Sequence, residues 1–219
     1  KGAGYFTSRE PDVMLTDVVR QARDNPVIQL ATMAREGRKI LPGTFGDSEV
    51  LSRATFCNDS VPLSSQILVG RNETRRKANA FSRERRGFTG LVPVTGDKLV
   101  CLRNDHEQGL LNGSTWTTVE CYPTDEERIG LVLDSDDDEN TRVAVEAHAQ
   151  PFRGEEVSFY EAKDAQHFDY GFALTVHKAQ GSEWPDVTLV DESSCFRQDA
   201  AKHLYTGITR ASERITIVL

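Results

Sequence analysis

Polar side chains with several kinds of chemistry are concentrated between two short apolar runs near the C-terminal end of the chain. Residues 172–176 and 187–190 are bounded by turn residues, a pattern typical of strands that are covered on both faces. From the end of the first run to the start of the second, the chain carries hydroxyls, an imidazole, an ammonium, an amide, a flexible glycine and a carboxylate, on Thr175, His177, Lys178, Gln180, Gly181, Ser182 and Glu183. Because side chains alternate along a strand, Thr175 and His177 are expected to point the same way, with Lys178 just beyond. Ligands of open α/β sheets bind outside strand ends, so this run predicts a ligand site; an ordinary hydrophilic turn is the alternative.

A helix followed by a strand is predicted over residues 203–219. Four apolar residues recur at helical spacing and predict the buried stripe: Ala201, Leu204, Tyr205 and Ile208. A second face collects more polar positions: His203, Thr206, Gly207 and Arg210. Arg210 is expected near the end of the helix.

Together the two segments resemble motifs V and VI of superfamily 1 helicases, most closely the RecD-like branch, in which a strand with T-x-H-x-x-Q-G-S-E precedes Y-T-x-I-T-R-A. Every one of those positions is filled here. The resemblance implies that Arg210 neutralises charge on the γ-phosphate of ATP. It also implies a nucleotide-binding role for Gln180, Gly181 and Glu183, and contacts to the DNA backbone by Thr175, His177 and Lys178.

The N-terminal part of the chain carries a weaker version of the same resemblance. Residues 15–22 read L-T-x-V-x-R-Q-A, the context in which RecD-like proteins supply an arginine finger, so Arg20 is the candidate for a second catalytic arginine. A solvated arginine on a helical face is the alternative. Asn25 and Pro26 then predict a helix start, and Gly37 its end. The predicted buried face consists of Val27, Leu30, Ala31 and Ala34.

A basic segment follows a predicted strand at residues 66–70. Asn72 is predicted to cap a helix that extends to about Arg86. The segment contains seven basic residues, Arg71, Arg75, Arg76, Lys77, Arg83, Arg85 and Arg86, against the two acidic residues Glu73 and Glu84. Such a run is most often a solvated helix face. The helicase resemblance instead favours contact with a nucleic-acid backbone, with Arg71 and Asn72 as candidate DNA-binding residues.

The pattern changes between residues 88 and 169, where short apolar and β-branched runs alternate with glycine and acidic turns. Strands are predicted at 98–102, 116–121, 130–133, 142–147 and 157–160. Within this segment, GDKLVCLRND at residues 96–105 is followed by G-L-x-N-G-x-x-W at 109–116, which resembles the SH3-like barrel inserted in the second motor domain of RecD-like helicases. We therefore predict an α/β fold in which residues 1–87 and 170–219 form a RecA-like parallel-sheet domain and residues 88–169 an inserted SH3-like barrel. The acidic run 134–139 lacks the glycine and glutamate of a calcium loop, and no metal site is predicted.

Composition narrows the class of protein further. A hydrophobic content of 38% with 27% charged residues is typical of a soluble globular protein, and no apolar run reaches the roughly 20 residues that a membrane span needs. The four cysteines form no C-x-x-C pair, which favours reduced thiols in the cytoplasm over a zinc site. The net charge of −8 alone argues against nucleic acid, but local patches decide phosphate binding. The chain starts at Lys1 rather than Met, so we expect a longer parent.

No phosphate-binding loop of the form G-x-x-x-x-G-K-[ST] occurs in the sequence. The resemblance therefore implies the C-terminal motor half of an ATP-dependent 5′-to-3′ DNA helicase, whose ATP and Mg²⁺ are bound mainly by an N-terminal RecA-like domain of the same parent. Single-stranded DNA is the second expected partner, and no membrane partner is expected. Three alternatives remain: a non-hydrolysing module that binds single strands, an RNA-directed superfamily 1 helicase, and a structural or docking domain.

Overall fold

The computed structural model describes residues 25–155, 157 and 164–219. The α-helices are α1 (Pro26–Arg35), α2 (Asn72–Arg85), α3 (Gln150–Arg153) and α4 (Ala200–Ile208). The strands are β1 (Gly43–Phe45), β2 (Ser48–Leu51), β3 (Gln66–Val69), β4 (Lys98–Cys101), β5 (Thr115–Pro123), β6 (Arg128–Ser135), β7 (Arg142–His148), β8 (Phe168–Tyr170), β9 (Ala173–Thr175), β10 (Trp184–Val190) and β11 (Ala211–Val218). Two 3-10 helices cover Asn58–Ser60 and Ser193–Asp199.

Six strands form a largely parallel sheet in the order β1-β2-β11-β10-β3-β9. All neighbours pair in parallel except the β1–β2 hairpin. Alternate strand residues such as Leu68, Leu189 and Ile217 join the core that α1 and α4 cover. The helix α2 packs against β3 and β9. The predicted α/β class with a parallel sheet is confirmed.

The helix α1 forms where the local sequence predicts it. The Asn25 side chain accepts a hydrogen bond from the backbone N–H of Val27 at 2.8 Å, and Pro26 occupies the first helical position, where no N–H is needed. Gly37 ends the segment with a φ of 67°, a conformation that favours glycine. The four predicted apolar positions are all buried.

Two other helix predictions need correction. Asn72 is the first residue of α2, not its cap; Arg71 is the N-cap residue and makes no side-chain cap of its own. In α4, Ala201 is exposed whereas His203, Gly207 and Ile208 are buried. Leu204 and Tyr205 are only half-buried against the core. The stripe is rotated because His203 packs against Phe196, which precedes the helix.

The second sheet is antiparallel, in the order β7-β6-β5-β4-β8, around its own apolar core. Its outer segments approach each other, since His148 donates its N–H to Gln166, two residues before β8, at 3.0 Å. Four of the five strands predicted here are confirmed with small shifts of their ends. The fifth, at 157–160, lies outside the described residues apart from Val157, which is not in a strand.

Close backbone packing joins the two sheets where the chain returns from β8 to β9. A Cβ on Gly171 would lie 2.8 Å from the carbonyl carbon of Leu99, so only glycine fits there. The side chain of Gln66 donates to the carbonyl oxygens of Gly171 and Phe172 at 3.1 Å each and accepts from Lys98 Nζ at 3.1 Å. Within the described residues, no helix is long and apolar enough to cross a bilayer.

Candidate nucleotide and nucleic-acid site

The polar run of the sequence forms a connection between β9 and β10 that starts with one turn of helical character. β9 ends at Thr175, whose carbonyl accepts the N–H groups of Lys178 and Ala179 at 2.9 and 3.0 Å. Val176 and Ala179 are buried in the core, while His177 is exposed. Gly181 has a φ of 97° and open space around its missing Cβ, so it supplies the turn that leads into β10.

Arg210 lies just beyond the end of α4 and binds this connection directly. Its guanidinium donates to the carbonyl oxygen of Ser182 at 3.0 Å, to the carbonyl oxygen of Thr206 at 3.2 Å and to the Thr209 hydroxyl at 3.2 Å. Its own carbonyl accepts from Trp184 N at 2.9 Å. Arg210 is half-buried, and the neighbouring Glu183 is exposed. The predicted nucleotide residues Gly181 and Glu183 therefore lie beside Arg210.

The polar run was predicted to form one ligand site, but the candidate residues do not share a single edge of the sheet. Thr175 lies where β9 ends, whereas Ser182 and Arg210 lie where β10 and β11 begin. The reason is topological: β9 and β10 both run parallel to β3, so residues 176–183 must cross the sheet from one edge to the other. One segment consequently touches both candidate sites.

A groove of about 510 Å³ lies at the carboxyl edge of β3 and β9. It is lined by Gly70, Asn72, Asn112, Thr175, His177, Lys178 and Gln180. Four predicted DNA-binding residues are thus brought together, and Gln180, predicted as a nucleotide ligand, lines the same groove. Within the described part of the chain, no carboxylate lines it. In a protein of net charge −8 such a surface suits a phosphate backbone.

Lys178 provides the charge of this groove. Its ammonium donates to Asn112 Oδ1 at 2.8 Å. Burial lowers the pKa of Lys178, and the nearby Arg75 lowers it further. Asn112 was not predicted as a site residue. It lies in the G-L-x-N-G-x-x-W run that suggested the barrel, but its approach to Lys178 depends on packing between the sheets.

His177 belongs to an aromatic cluster with Phe196 and His203. The rings of Phe196 and His203 are stacked at 3.9 Å, and the His177 ring lies 5.3 and 5.6 Å from them. Burial lowers the pKa of His203, and His177 lowers it further. The buried Nε2 of His203 has no hydrogen-bond partner among the described residues. His203 is therefore held neutral behind the exposed His177.

The basic helix α2 is mostly bonded within the protein. Arg71 pairs with the buried Glu192 at 2.7 Å, Arg75 with Asp169 at 2.7 Å, and Arg83 with the fully buried Asp97 at 2.9 Å. Glu192 also accepts the N–H groups of Gly70 and Arg71 and the hydroxyl of Thr74. The Glu192 carboxylate, which sequence reasoning missed, thus anchors the residues at the start of α2.

Two further predictions concern Arg20 and metal binding. Arg20 lies outside the described residues. No group of three or more histidine, cysteine or carboxylate side chains in the described part of the chain is arranged to hold a metal ion. In the acidic run 134–139, Asp134 instead accepts a hydrogen bond from the Arg142 guanidinium at 2.6 Å.

Comparison with known proteins bears on the parallel sheet and on the two segments that resemble motifs V and VI. Residues 170–218, which include β9, residues 176–183, β10, α4 and β11, match the UvrD-like helicase C-terminal domain family. The predicted resemblance to superfamily 1 helicases is confirmed.

The resemblance to the RecD-like branch is also confirmed. The chain is 26% identical over 227 residues to the ATP-dependent RecD2 DNA helicase of Deinococcus radiodurans, in a match that covers 93% of this chain and 28% of that protein. A crystal structure of Pif1 helicase from Candida albicans shares the fold, with a TM-score of 0.54 at 16% identity, over 88% of this chain and 52% of that one. The chain thus spans little more than a quarter of the RecD2 relative.

Proposed function

We propose that this chain is the C-terminal motor half of an ATP-dependent 5′-to-3′ DNA helicase. Residues 1–87 and 170–219 form its second RecA-like domain, and residues 88–169 form an inserted SH3-like barrel. An N-terminal RecA-like domain of the same parent supplies the phosphate-binding loop and most ligands of ATP and Mg²⁺. The four free cysteines suit a reducing cytoplasm.

This proposal rests on the observation that residues 176–183 connect the groove with Arg210. One end of the segment carries His177 and Lys178 into the groove, and the other end is bonded to Arg210 through the Ser182 carbonyl at 3.0 Å. A guanidinium that binds only neutral oxygens keeps its full charge for phosphate. When Arg210 binds the γ-phosphate, its hydrogen bond to the Ser182 carbonyl breaks or Ser182 shifts with it. Because residues 176–183 are few and partly buried, this displacement also moves His177 and Lys178 in the groove.

The roles of the remaining residues follow from their positions. Arg210 and Arg20 act as arginine fingers that neutralise charge developing on the γ-phosphate. Gly181 and Glu183 border the nucleotide beside Arg210. The grip on single-stranded DNA comes from Thr175, His177, Lys178 and Asn72, with Arg71 next to them at the start of α2. Gln180 lies between the two sets and contacts the groove.

The test is Arg210→Ala in the full-length parent. Removal of an arginine finger typically lowers the rate of phosphoryl transfer by about 10³–10⁵, so ATP turnover is expected to be abolished while binding of single-stranded DNA changes by less than a few fold. Arg214→Ala is the matched control, because Arg214 lies four residues away on β11 and pairs with Asp186 rather than with the crossing segment. Turnover of the Arg210 variant within a few fold of wild type refutes the role.

The substrate class has its own experiment. The donors that line the groove bind a phosphate backbone without distinguishing ribose from deoxyribose. Stimulation of the parent's ATPase by single-stranded DNA well above that by RNA of the same sequence supports the DNA assignment. Equal or stronger stimulation by RNA assigns the chain to an RNA-directed helicase instead.

A further inference from the structure

A loop of the antiparallel sheet reaches into the groove of the parallel sheet. The loop between β4 and β5 places Asn112 among the groove residues, with its side-chain oxygen 2.8 Å from Lys178 Nζ. The neighbouring Gly113 also lies close to residues 176–183, since a Cβ at that position would lie 3.3 Å from the Lys178 carbonyl oxygen. The second sheet therefore contributes directly to the candidate DNA site.

Backbone bonds hold this loop in place. Gly113 donates its N–H to the carbonyl of Cys101 at 2.8 Å, and Cys101 donates to the carbonyl of Ser114 at 2.9 Å, so the two residues that follow Asn112 are tied to β4. The N–H of Asn112 donates to Asn104 Oδ1 at 2.6 Å. Gly113 has a φ of 99°, which favours glycine. The loop thus presents the Asn112 amide in a fixed position without using its side chain for internal support.

The chemistry of the pair suits a phosphate group. An ammonium has three N–H donors, of which the Asn112 oxygen uses one, and a carboxamide has two donors on its nitrogen. Asn112 is exposed, and no carboxylate lines the groove in the described part of the chain. A neutral amide orients the ammonium but leaves its positive charge intact, which a carboxylate at the same position would not do.

We propose that Asn112 and Lys178 form a clamp for one backbone phosphate of the bound single strand, in which Asn112 orients Lys178 and donates to the same phosphate. This inference rests on the proposed function, because it assumes that the groove binds a nucleic-acid strand. It adds that the inserted sheet holds the strand together with the motor sheet. A change in the contact between the sheets then changes the grip on DNA.

The experiment measures binding of a fluorescent oligo(dT) strand to the 219-residue chain as a function of salt. Asn112→Ala removes a hydrogen bond but no charge, so affinity is expected to fall about three- to tenfold with an unchanged salt slope. Asn112→Asp neutralises Lys178, so affinity should fall further and the slope of log K against log salt should decrease by about 0.7, the value for one phosphate contact on a single strand.

The matched control is Asn140→Asp, which makes the same change of charge in the β6–β7 turn, outside the groove lining. It should retain the wild-type slope. Thermal unfolding checks that both Asn112 variants fold, which their exposed position favours. The clamp is wrong if Asn112→Asp and Asn140→Asp reduce the salt slope equally. It is also wrong if Asn112→Ala binds the strand with wild-type affinity.

Lys178→Ala separates this inference from the proposed function. If Lys178→Ala lowers the slope by about 0.7 and the Asn112 variants do not change binding, the groove is a DNA site but the clamp is wrong. If the wild-type chain does not bind the strand even at low salt, both the DNA role of the groove and the clamp are wrong.

Discussion

Two sets of cations in this chain differ in the atoms that bind them. Among the described residues, Lys178 in the groove and Arg210 beside residues 176–183 donate only to neutral amide, carbonyl and hydroxyl oxygens. Along α2 the arginines pair with carboxylates that are largely or fully buried. We call these pairs the seam: Arg71–Glu192, Arg75–Asp169 and Arg83–Asp97. The two sets lie close together, since Arg75 is near enough to Lys178 to lower its pKa.

The difference separates cations that are available to a ligand from Arg75 and Arg83, which hold the fold together; Arg71, whose side chain is 53% exposed, belongs to the seam but still borders the groove. A guanidinium paired with a carboxylate in a site with little water can bind phosphate only by breaking the pair and leaving the carboxylate unpaired, which is costly. A cation bound to neutral oxygens exchanges one neutral acceptor for a charged one and gains energy. The density of positive charge along α2 is therefore a poor guide to nucleic-acid contact, whereas the type of partner is informative.

The largest expected effect comes from the seam. Arg83 is 9% exposed and Asp97 is fully buried, and the guanidinium also donates to the carbonyls of Gly90 and Val92. Arg83→Ala leaves a buried carboxylate unpaired, so the free energy of unfolding should fall by about 3–5 kcal/mol. Urea unfolding followed by circular dichroism measures this loss.

Arg142→Ala is the control, because Arg142 forms an even shorter pair with Asp134, at 2.6 Å, on the surface of the antiparallel sheet. Exposed pairs contribute little, so the unfolding midpoint should remain close to that of the wild type. Comparable destabilisation in the two variants would contradict the distinction between a buried seam and surface pairs.

Glu192→Gln tests the seam where it meets the groove. Burial alone raises the pKa of Glu192, but hydrogen bonds from Thr74 and Arg71 outweigh it and the net pKa is lowered below 4.5. The carboxylate therefore stabilises the fold above that pH, and the contribution is lost as pH falls through the lower pKa of the folded state. The amide should cost about 2 kcal/mol at neutral pH, since hydrogen bonds to a charged group are weakened.

The measurement is the unfolding free energy of wild type and Glu192→Gln between pH 7 and pH 3. The difference between them should shrink as pH falls, because the wild-type carboxyl becomes protonated. The variant also releases Arg71 from its ion pair, so oligo(dT) binding should become more salt-dependent. A difference in stability that stays constant over this pH range would show that the charge of Glu192 is not what stabilises α2.

The same contrast explains which features were predictable from sequence. The boundaries and buried face of α1 follow from Asn25, Pro26 and the 3.6-residue spacing, all of which are local. The partners of the α2 arginines lie far along the chain, such as Glu192, which is 121 residues from Arg71. Only the fold brings them together. Residues 71–86 therefore suggested a DNA-contacting face, although most of the arginines bond within the protein.

Short strands and cross-sheet contacts were missed for a related reason. The strands β1 and β8 have three residues each, too few for a period of two to show, and β8 exists because β4 pairs with it. The approach of Asn112 to Lys178 joins residues 66 positions apart. The crossing of residues 176–183 was missed because the prediction of a parallel sheet does not reveal that β9 and β10 both pair with β3.

The smallest expected effect concerns His203, the neutral imidazole that packs behind His177 of the groove. His203 is stacked on Phe196 and faces His177, with Asp191 and Glu192 as the nearby acidic groups. Burial, followed by His177, lowers the pKa of His203 below 6.5, so the unfolded chain takes up a proton more readily than the folded protein as pH falls through 6.5. The free energy of unfolding should therefore decrease as pH falls from 7.5 to 5.5.

His203→Phe retains a stacked ring but cannot be protonated, so its unfolding midpoint should depend less on pH. His106→Gln is the control: it lies at an exposed position outside the cluster and should retain the wild-type dependence. Parallel pH profiles for wild type and His203→Phe would mean that the neutral imidazole behind His177 contributes nothing to the pH dependence of the fold.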